Sequence, residues 1–339
     1  MNRVERSPAQ ALVGLLAGPR LAQAISVAAR LGLADLLDSG SRTPAELAAS
    51  TGTNADALRR MLRTLAGAGI FEEEEASGRF RLTPFAGPLR STAPDSICAY
   101  AVMAGERWIW QALGAMEHTV RTGQPAFDHV FGMPLFDYYA RYPDAGRVSA
   151  EGLRSVGRGE DAAVASAYDF SGVTTVVDLG GGQGGLLAAI LHATSQARGT
   201  LFDLPHVMDA ARRQFQQAGV ATRVRLETGD FFKSVPAGGD VYLLRKVLHD
   251  WDDDKARAIL EVCRSAMTVH ARLLIVETVV APGNTPCHAK ELDLLMLVYT
   301  GGRERTEQEY RELLDATGFA LEHTLATAST MSIIEAKPI

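Results

Sequence analysis

A glycine-rich segment directly after an apolar run is the feature that most constrains the fold. Residues 176–185 read Val-Val-Asp-Leu-Gly-Gly-Gly-Gln-Gly-Gly, so a buried strand gives way to a helix. Glycines at such a junction let the backbone approach a ligand closely and leave N–H groups that point towards it. Gly180, Gly182 and Gly185 satisfy the dinucleotide fingerprint G-x-G-x-x-G, and the segment also fits D-x-G-x-G-x-G from Asp178. The motif predicts a nucleotide-type site without choosing the cofactor.

The chain after Val173 alternates predicted strands with helices, which indicates a doubly wound parallel sheet. Five strands are predicted at residues 175–179, 199–203, 224–227, 240–244 and 272–277. Residues 319–327 and 331–336 form two more strands with only a short connection, so they should pair antiparallel at one side of the sheet. Ligands of such sheets bind outside the carboxyl ends of the strands, and we expect the functional residues there.

Acidic side chains follow two of these strands. Asp203 ends the strand after the glycine motif, about where an acidic residue meets ribose hydroxyls in this architecture. Farther on, Gly229-Asp230-Phe231-Phe232 follows another strand and offers a carboxylate for an adenine amino group beside an aromatic face for its ring. A nicotinamide fingerprint makes no such demand, whereas the ribose contact is common to both cofactor classes.

The N-terminal part has the pattern of a winged helix. Apolar residues recur at helical spacing over residues 11–37, with so few charges that a lone helix would leave apolar surface exposed. Thr43-Pro44-Ala45-Glu46 then carries a helix N-cap signature, and Asn54 begins a second helix. Residues 72–83 have the pattern of two strands joined by a polar turn. The order helix, helix, hairpin is the winged-helix pattern.

A winged helix raises the alternative of a DNA-binding regulator. Its recognition helix offers only Arg59, Arg60 and Arg63, and the hairpin carries four consecutive glutamates. The net charge of -6 gives no basic field that would attract nucleic acid. We therefore favour a packing and dimerisation module for this region and expect no nucleic-acid partner.

Length and composition set wider bounds. A chain of 339 residues with 47% hydrophobic residues is expected to bury the cores of two domains. The sequence has no uninterrupted apolar run of about 18 residues and no compact apolar run of the export-signal type, so we expect no membrane partner. Cys98, Cys263 and Cys287 lack the paired spacing of a disulfide framework, which favours a cytoplasmic location.

Five motifs in order carry a resemblance to a known family. They are Asp178–Gly184, Phe202–Pro205, Gly229–Phe232, Leu248–Trp251 and Gly301–Thr306. Over nearly its whole length the chain resembles the class I S-adenosylmethionine-dependent O-methyltransferases. These include plant caffeic-acid and flavonoid enzymes and bacterial tailoring enzymes of aromatic polyketide and antibiotic pathways. The resemblance implies an α/β fold with a Rossmann-like doubly wound sheet and an antiparallel C-terminal strand, preceded by a mainly helical winged-helix dimerisation domain, and a homodimer.

The resemblance also implies domain boundaries and a cofactor site. The predicted regions are a winged-helix dimerisation domain at 1–95, a helical linker and substrate-pocket region at 96–166, and a catalytic domain at 167–339. The implied cofactor is S-adenosylmethionine, which is converted to S-adenosylhomocysteine. The predicted cofactor-binding residues are Asp178, Gly180, Gly182, Asp203, Leu204, Gly229, Asp230, Phe231 and Arg245. Arg245 stands where plant members often have Lys.

His249 is the predicted general base. It follows the strand at 240–244 and precedes a helix opened by Asp252–Asp254, which puts it at the carboxyl ends of the strands. A phenol is mostly protonated at neutral pH, and a histidine with an ordinary pKa can accept that proton. The other ring nitrogen needs an acceptor to fix its tautomer. Glu277 and Glu304 match family positions that flank the base.

Acceptor contacts are predicted at Trp108, Asp250, Met296 and Tyr299. Trp108, Met296 and Tyr299 are expected to line an apolar pocket between the two regions, and Asp250 to orient the acceptor. No metal is expected, because the family does not require one and His249 has no second His or Cys at ligand spacing.

The sequence thus predicts an O-methyltransferase that acts on a hydroxyl, by resemblance a phenolic one, of a small natural product. One alternative keeps the cofactor but catalyses hydroxylation or decarboxylation of an aromatic polyketide. Retention of His249 with both glutamates argues against it. Another alternative, a nicotinamide-dependent dehydrogenase, rests on the glycine spacing alone.

Overall fold

The computed structural model describes residues 7–339, which form two compact units. The first unit comprises the described residues up to Trp110 together with Tyr142–Val156. The second unit comprises Gln111–Arg141 together with Gly157–Ile339. Each unit has its own buried hydrophobic core.

The first unit is mainly helical and contains one hairpin. Its elements are α1 (Pro8–Leu15), α2 (Gly18–Arg30), α3 (Leu33–Asp38), α4 (Pro44–Thr51), α5 (Ala55–Gly67), β1 (Phe71–Glu74), β2 (Arg79–Leu82), α6 (Cys98–Ala104) and the start of α7 (Arg107–Gly114). Thr43 caps α4 in a reciprocal capping box with Glu46, and Asn54 caps α5, because these side chains accept N–H groups that lack a partner in the helix. β1 and β2 pair antiparallel, with Phe71 opposite Leu82. The predicted order of helix, helix and hairpin is therefore present.

The N-terminal helices leave apolar surface exposed. Leu12, Val13, Leu15 and Leu16 are 62%, 63%, 75% and 78% exposed, respectively. A window of 18 residues within Pro8–Arg30 has a mean hydropathy of 1.4, so this segment could cross a membrane by length and composition only. The apolar run is interrupted by Pro19, Arg20 and Gln23, as expected from the sequence. A core helix or a signal sequence meets the same criterion of length and composition, so the segment is weak evidence for a membrane.

Among the described residues, the second unit contains the end of α7, nine further α-helices, of which α11 begins in the first unit, and seven strands. The helices are α8 (Met116–Thr122), α9 (Ala126–Phe131), α10 (Leu135–Arg141), α11 (Pro143–Ala167), α12 (Gly185–Ala193), α13 (Met208–Gln217), α14 (Asp253–Ala266), α15 (His288–Tyr299) and α16 (Glu307–Asp315). The strands are β3 (Thr175–Leu179), β4 (Arg198–Asp203), β5 (Val224–Thr228), β6 (Val241–Arg245), β7 (Arg272–Glu277), β8 (Phe319–Ala326) and β9 (Ser332–Pro338).

These seven strands form one mixed sheet in the order β5-β4-β3-β6-β7-β9-β8. The first five strands are parallel. Helices cross over from β3 to β4, from β4 to β5 and from β6 to β7, whereas a loop without a helix, residues 229–240, connects β5 to β6. β9 pairs antiparallel with both β7 and β8, and β8 forms the edge. The predicted doubly wound sheet with antiparallel C-terminal strands is confirmed.

Helices cover both faces of the sheet. Val176 packs in the layer that contains α12 and α13, whereas its neighbour Val177 packs in the layer of α14 and α16, because successive strand residues point to opposite faces. Leu179 pairs with Phe202 on one side and with Leu244 on the other. This register brings the carboxyl ends of β3, β4 and β6 to one edge of the sheet.

Candidate active site

His249 lies in a single 3-10 turn, Leu248–Asp250, between β6 and α14. Asp252 ends this connection, because its side chain accepts the N–H of Lys255 and caps α14. The turn places His249 beyond the carboxyl end of β6, and the residue is only 7% exposed.

A carboxylate holds one nitrogen of the His249 ring. Nδ1 of His249 lies 2.6 Å from Oε1 of Glu304. The hydroxyl of Thr278 donates to the other carboxylate oxygen of Glu304 at 2.8 Å, and Oδ1 of Asp293 accepts the N–H of Glu304 at 2.9 Å. Glu304 is itself fixed, so it favours the tautomer with the proton on Nδ1 and the free electron pair on Nε2.

Glu277 contacts the main chain of the turn and makes no hydrogen bond to the imidazole among the described residues. Its Oε1 accepts the N–H groups of Val247 and His249, both at 3.1 Å. Its Oε2 accepts the hydroxyl proton of Tyr310 in a short hydrogen bond. Sequence reasoning expected both glutamates to flank the base. The structure separates them into one that holds the ring and one that holds the backbone.

Burial and charge act in opposite directions on the imidazole. Burial lowers the pKa of His249, but the carboxylates of Asp250, Glu304 and Glu277 outweigh it and raise that pKa to about 9. Asp250 contributes through its Oδ1, which lies 3.8 Å from Nε2 of His249. Burial raises the pKa of Asp250 to about 6, against the opposing effect of the imidazolium. These carboxylates therefore favour the protonated form of the ring, and Nε2 can accept a proton once the ring is neutral.

The glycine motif forms a loop that Asp203 holds. Gly180 and Gly182 have φ of +65° and +58°, a conformation that side-chain-bearing residues rarely adopt. The carboxylate of Asp203 accepts the N–H of Gly182 at 2.8 Å and the N–H of Leu204 at 2.6 Å. Burial raises the pKa of Asp203, against these two hydrogen bonds. Leu204, at 45% exposure, keeps its side chain at the surface of the unit.

The second predicted motif follows β5. The N–H of Gly229 donates to the carbonyl of Asp203 at 3.1 Å, which holds this loop against the end of β4. Asp230 accepts the N–H of Phe232, and this hydrogen bond lowers the pKa of its carboxyl group. The ring of Phe231 lies near Gly180, where an added Cβ would be 3.4 Å from it. The loop thus presents a carboxylate and an aromatic ring next to the glycine loop.

A half-buried ion cluster lies at the carboxyl end of β6, where Arg245 and Lys246 meet two acidic residues of α11. Glu160 bridges two cations, because its Oε2 is 2.9 Å from Arg245 and 2.8 Å from Lys246. Oδ1 of Asp161 is 3.1 Å from Nη2 of Arg245, and its Oδ2 would be 2.3 Å from a Cβ on Gly185. Asp161 therefore packs against the first turn of α12, directly after the glycine loop.

Two buried polar atoms in and beside this cluster have no hydrogen-bond partner among the described residues, Oδ1 of Asp178 and Nε of Arg245. Oδ1 of Asp161 has its ion pair with Arg245 but no hydrogen bond among the described residues. Burial raises the pKa of Asp178 to about 7, with further contributions from Asp203 and Asp161 and an opposing one from Arg245. Burial likewise raises the pKa of Asp161 to about 6. Unpartnered buried atoms of both charges at one place fit a polar ligand that carries both an ammonium and a carboxylate.

The predicted acceptor-binding residues lie in different units. Met296 and Tyr299 lie on α15 of the second unit, where Met296 is half-buried and Tyr299 is 8% exposed. Tyr299 contacts the ring of Phe127 at a centroid distance of 6.4 Å. Trp108 is buried in the first unit. Asp250 is brought next to the base, as described above.

Several residues around this site escaped sequence reasoning. Thr278 and Arg305 adjoin predicted residues in the chain, and their polarity inside apolar or glycine-rich segments was the available signal. Glu160 lies 85 positions before Arg245, and nothing in the local pattern of α11 sets it apart from surface charges. The residues not predicted are Glu160, Asp161, Thr278, Asp293, Arg305 and Tyr310. Within residues 7–339, no group of three or more His, Cys, Asp or Glu side chains is placed to hold a metal ion.

Comparison with known proteins gives two family matches. Residues 110–320 match the model of an O-methyltransferase domain. Residues 13–89 match the model of an O-methyltransferase dimerisation domain. The two matches together span most of the chain, and the second covers the hairpin and all but the start of the exposed N-terminal helices.

Relatives and solved structures match over nearly the full length. The phenazine O-methyltransferase PhzM of Lysobacter antibioticus is 47% identical over 328 residues, which cover 97% of this chain and 96% of the relative. The crystal structure of LaPhzM superposes with a TM-score of 0.93 at 46% identity, over 98% of this chain and 100% of that one. NcsB1, an O-methyltransferase of neocarzinostatin biosynthesis solved with S-adenosylhomocysteine and 1,4-dihydroxy-2-naphthoic acid, has a TM-score of 0.80 at 34% identity, with 94% and 96% covered.

One relative is named for a different reaction. The aclacinomycin 10-hydroxylase RdmB of Streptomyces purpurascens is 38% identical over 322 residues, which cover 91% of this chain and 83% of the relative. Relatives of this chain are therefore named for hydroxylation as well as for methyl transfer.

Proposed function

Because this chain belongs to the O-methyltransferase family, by both its catalytic and its dimerisation domain, we propose that it methylates a hydroxyl of a small aromatic natural product with His249 as the general base. The observation that supports this most is the contact between Nδ1 of His249 and Glu304 in a turn at the carboxyl edge of the sheet. It leaves Nε2 as the nitrogen that can accept a proton. NcsB1 was solved in complex with 1,4-dihydroxy-2-naphthoic acid, and hydroxylated aromatic compounds of this kind are the class of acceptor we infer for this chain.

The residues at the sheet edge fit S-adenosylmethionine. We infer that the loop of Gly180 and Gly182 approaches its nucleoside, with Asp203 on the ribose and with Asp230 and Phe231 on the adenine. Asp178 and Arg245 hold the amino-acid end, since their unsatisfied buried atoms carry the charges that complement an ammonium and a carboxylate. Leu204 and Gly229 complete the wall of this site. The bound cofactor supplies a methyl group made electrophilic by its positively charged sulfur.

The chain's own residues handle the acceptor and its proton. His249 takes the proton of the hydroxyl on Nε2, and Glu304 then stabilises the imidazolium through Nδ1. Asp250, 3.8 Å from Nε2, is available to orient the acceptor beside the ring. We assign Met296 and Tyr299 to the apolar wall that holds a planar acceptor, because α15 carries both and ends just before the loop of Glu304.

Two further features belong to this proposal. The apolar surface of α1 and the match to a dimerisation domain support a homodimer. We place the enzyme in the cytoplasm with its biosynthetic relatives, and we expect it to need no metal.

The variant His249→Ala tests the base. Loss of a general base lowers kcat by roughly 10²–10⁴-fold. We therefore expect methyl transfer from labelled S-adenosylmethionine to 1,4-dihydroxy-2-naphthoic acid and a panel of other phenols to fall by that factor. Calorimetric affinity for S-adenosylhomocysteine should change less than about twofold, because His249 is not among the inferred cofactor contacts.

His270→Ala is the matched control, because His270 is exposed in the loop before β7. It should transfer methyl groups at the wild-type rate. Full activity of His249→Ala would contradict the base assignment. Mass spectrometry of the product separates the alternative: a gain of one methylene unit (CH2), from replacement of the hydroxyl proton by a methyl group, supports methylation, whereas a gain of one oxygen would support a hydroxylase of the RdmB type.

A further inference from the structure

The turn that carries His249 is held from two sides by side chains that do not touch the ring. On one side, Glu277 accepts the N–H groups of Val247 and His249. On the other side, Arg305 donates to the carbonyl of Leu248 at 3.1 Å and to the carbonyl of Trp251 at 3.1 Å. One side chain therefore binds the donors of the turn and the other binds its acceptors, which leaves the backbone little freedom to rotate.

The burial of Arg305 needs an explanation, because its side chain is charged. It is fully buried, at 0% exposure. A buried cation costs several kcal/mol of desolvation unless all of its donors are bonded. Oδ1 of Asp253 accepts from Nε at 3.0 Å and from Nη2 at 2.8 Å, and the carbonyl of Arg303 lies 3.4 Å from Nη1. Together with the two carbonyls of the turn, these acceptors satisfy the planar fork of the guanidinium.

The charge of Arg305 also acts on the opposite side of the turn. Burial raises the pKa of Glu277, and Arg305 is among the groups that oppose this rise. A protonated Glu277 would be a weaker acceptor for the N–H groups of Val247 and His249. Arg305 thus holds the acceptors of the turn directly and helps Glu277 to hold its donors.

We propose that Arg305 is a positioning residue for His249, which sets the direction of the imidazole through the backbone of residues 247–251. The proposal rests on the proposed function, because it concerns the same base. A lysine at this position keeps the charge but has three donors on one nitrogen, so it cannot reach both carbonyls and Asp253 with the geometry of the fork.

The variant Arg305→Lys tests the proposal with two measurements. The first is the ¹⁵N spectrum of the histidine rings, in which His249 is identified by its loss in His249→Ala. We expect the His249 signals to shift or broaden. The second is steady-state kinetics with 1,4-dihydroxy-2-naphthoic acid, where kcat should fall at least about tenfold because a small misplacement of a reacting group is costly. KM and the affinity for S-adenosylhomocysteine should stay within about twofold.

Arg303→Lys is the matched control. Arg303 also pairs with Asp253, but its side chain is 43% exposed and makes no described bond to residues 247–251. This control should leave the His249 signals and kcat unchanged. If Arg305→Lys does not fold, Asp253→Asn replaces it. The side chain of Asp253 is 41% exposed, and removal of its charge weakens the hydrogen bonds that it accepts from Arg305. Its effects should have the same direction.

Two results would overturn the proposal. One is an unchanged His249 spectrum with unchanged kcat in Arg305→Lys. The other is a parallel loss of kcat, cofactor affinity and melting temperature, which would mean a general packing role. Failure of the proposed function is a separate observation: the wild-type enzyme would bind no cofactor or transfer no methyl group. The ring spectra would still decide the role of Arg305.

Discussion

At the scale of single residues, the site depends on how Glu304 is held. A carboxylate that moved freely could not choose between the two tautomers of an imidazole. Here the hydroxyl of Thr278 donates to the carboxylate of Glu304, and Asp293 accepts the backbone N–H of Glu304. The carboxylate therefore approaches Nδ1 of His249 from a fixed direction. Asp250 makes the largest contribution that raises the pKa of the ring, and the contact with Glu304 adds to it. Glu304 therefore affects both the orientation and the basicity of His249.

The pH dependence of the reaction follows from this contact. The base form of His249 is the neutral ring, which exists above its pKa of about 9. We expect kcat/KM of the wild type to rise with pH through the neutral range and to level off near pH 9. In Glu304→Gln, one contribution that raises this pKa is lost, so the rise should begin at lower pH. Its plateau should be at least about tenfold lower, because the tautomer is no longer fixed.

The control for this profile is Glu312→Gln, an exposed position on α16. It should reproduce the wild-type curve. A Glu304→Gln profile that coincides with the wild type in position and height would mean that His249 does not carry the titration.

At the scale of elements, the sequence predicted those features that depend on residues close together in the chain. The strand β3, the N-caps of α4 and α5 and the antiparallel pair β8–β9 follow from apolar alternation, capping and turn residues, and connection length. Glu160 and Asp161 could not be found this way, because their partners are a distant strand end and a glycine loop. Glu277 illustrates the same limit. Its position after β7 was predictable, but its preference for backbone N–H groups depends on how close the turn of His249 lies.

The close approach between the loop before Glu304 and the turn of His249 can be tested at Gly302. An added Cβ there would lie 2.0 Å from the carbonyl oxygen of His249, which real structures do not tolerate. The loop before Glu304 and the turn of His249 would have to separate in Gly302→Ala. We expect a loss of about 1–3 kcal/mol in unfolding free energy, measured by urea denaturation. We also expect a fall of at least about tenfold in kcat, because the hydrogen bond of Glu304 to the ring would lengthen.

Gly159→Ala is the matched substitution. Gly159 lies exposed on α11 with nothing within 4 Å of an added Cβ. Alanine favours a helix over glycine, so this variant should be as active as the wild type and up to about 1 kcal/mol more stable. Equal activity in both variants would show that the two loops need not be in contact for catalysis.

At the scale of the whole molecule, the N-terminal helices leave an apolar surface exposed. Leu15 and Leu16 are at least 75% exposed, and Pro8–Arg30 is apolar enough to enter a bilayer by composition. A second copy of the chain and a lipid surface would both remove this area from water. The dimerisation-domain match begins at residue 13, within the same segment. A partner chain is therefore the better account, because it explains the family match as well as the exposure.

The double variant Leu15→Glu with Leu16→Glu separates the two accounts. Two charges buried at a subunit interface without partners are costly, so light scattering after gel filtration should show a monomer where the wild type is a dimer. Val269→Glu, at an equally apolar but isolated exposed position, should stay dimeric. Wild-type protein should not float with lipid vesicles in a density gradient. A wild-type monomer that floats with vesicles, and a double variant that no longer does, would instead assign this surface to a membrane, because the apolar face of a helix can also be buried at the headgroup boundary of a bilayer.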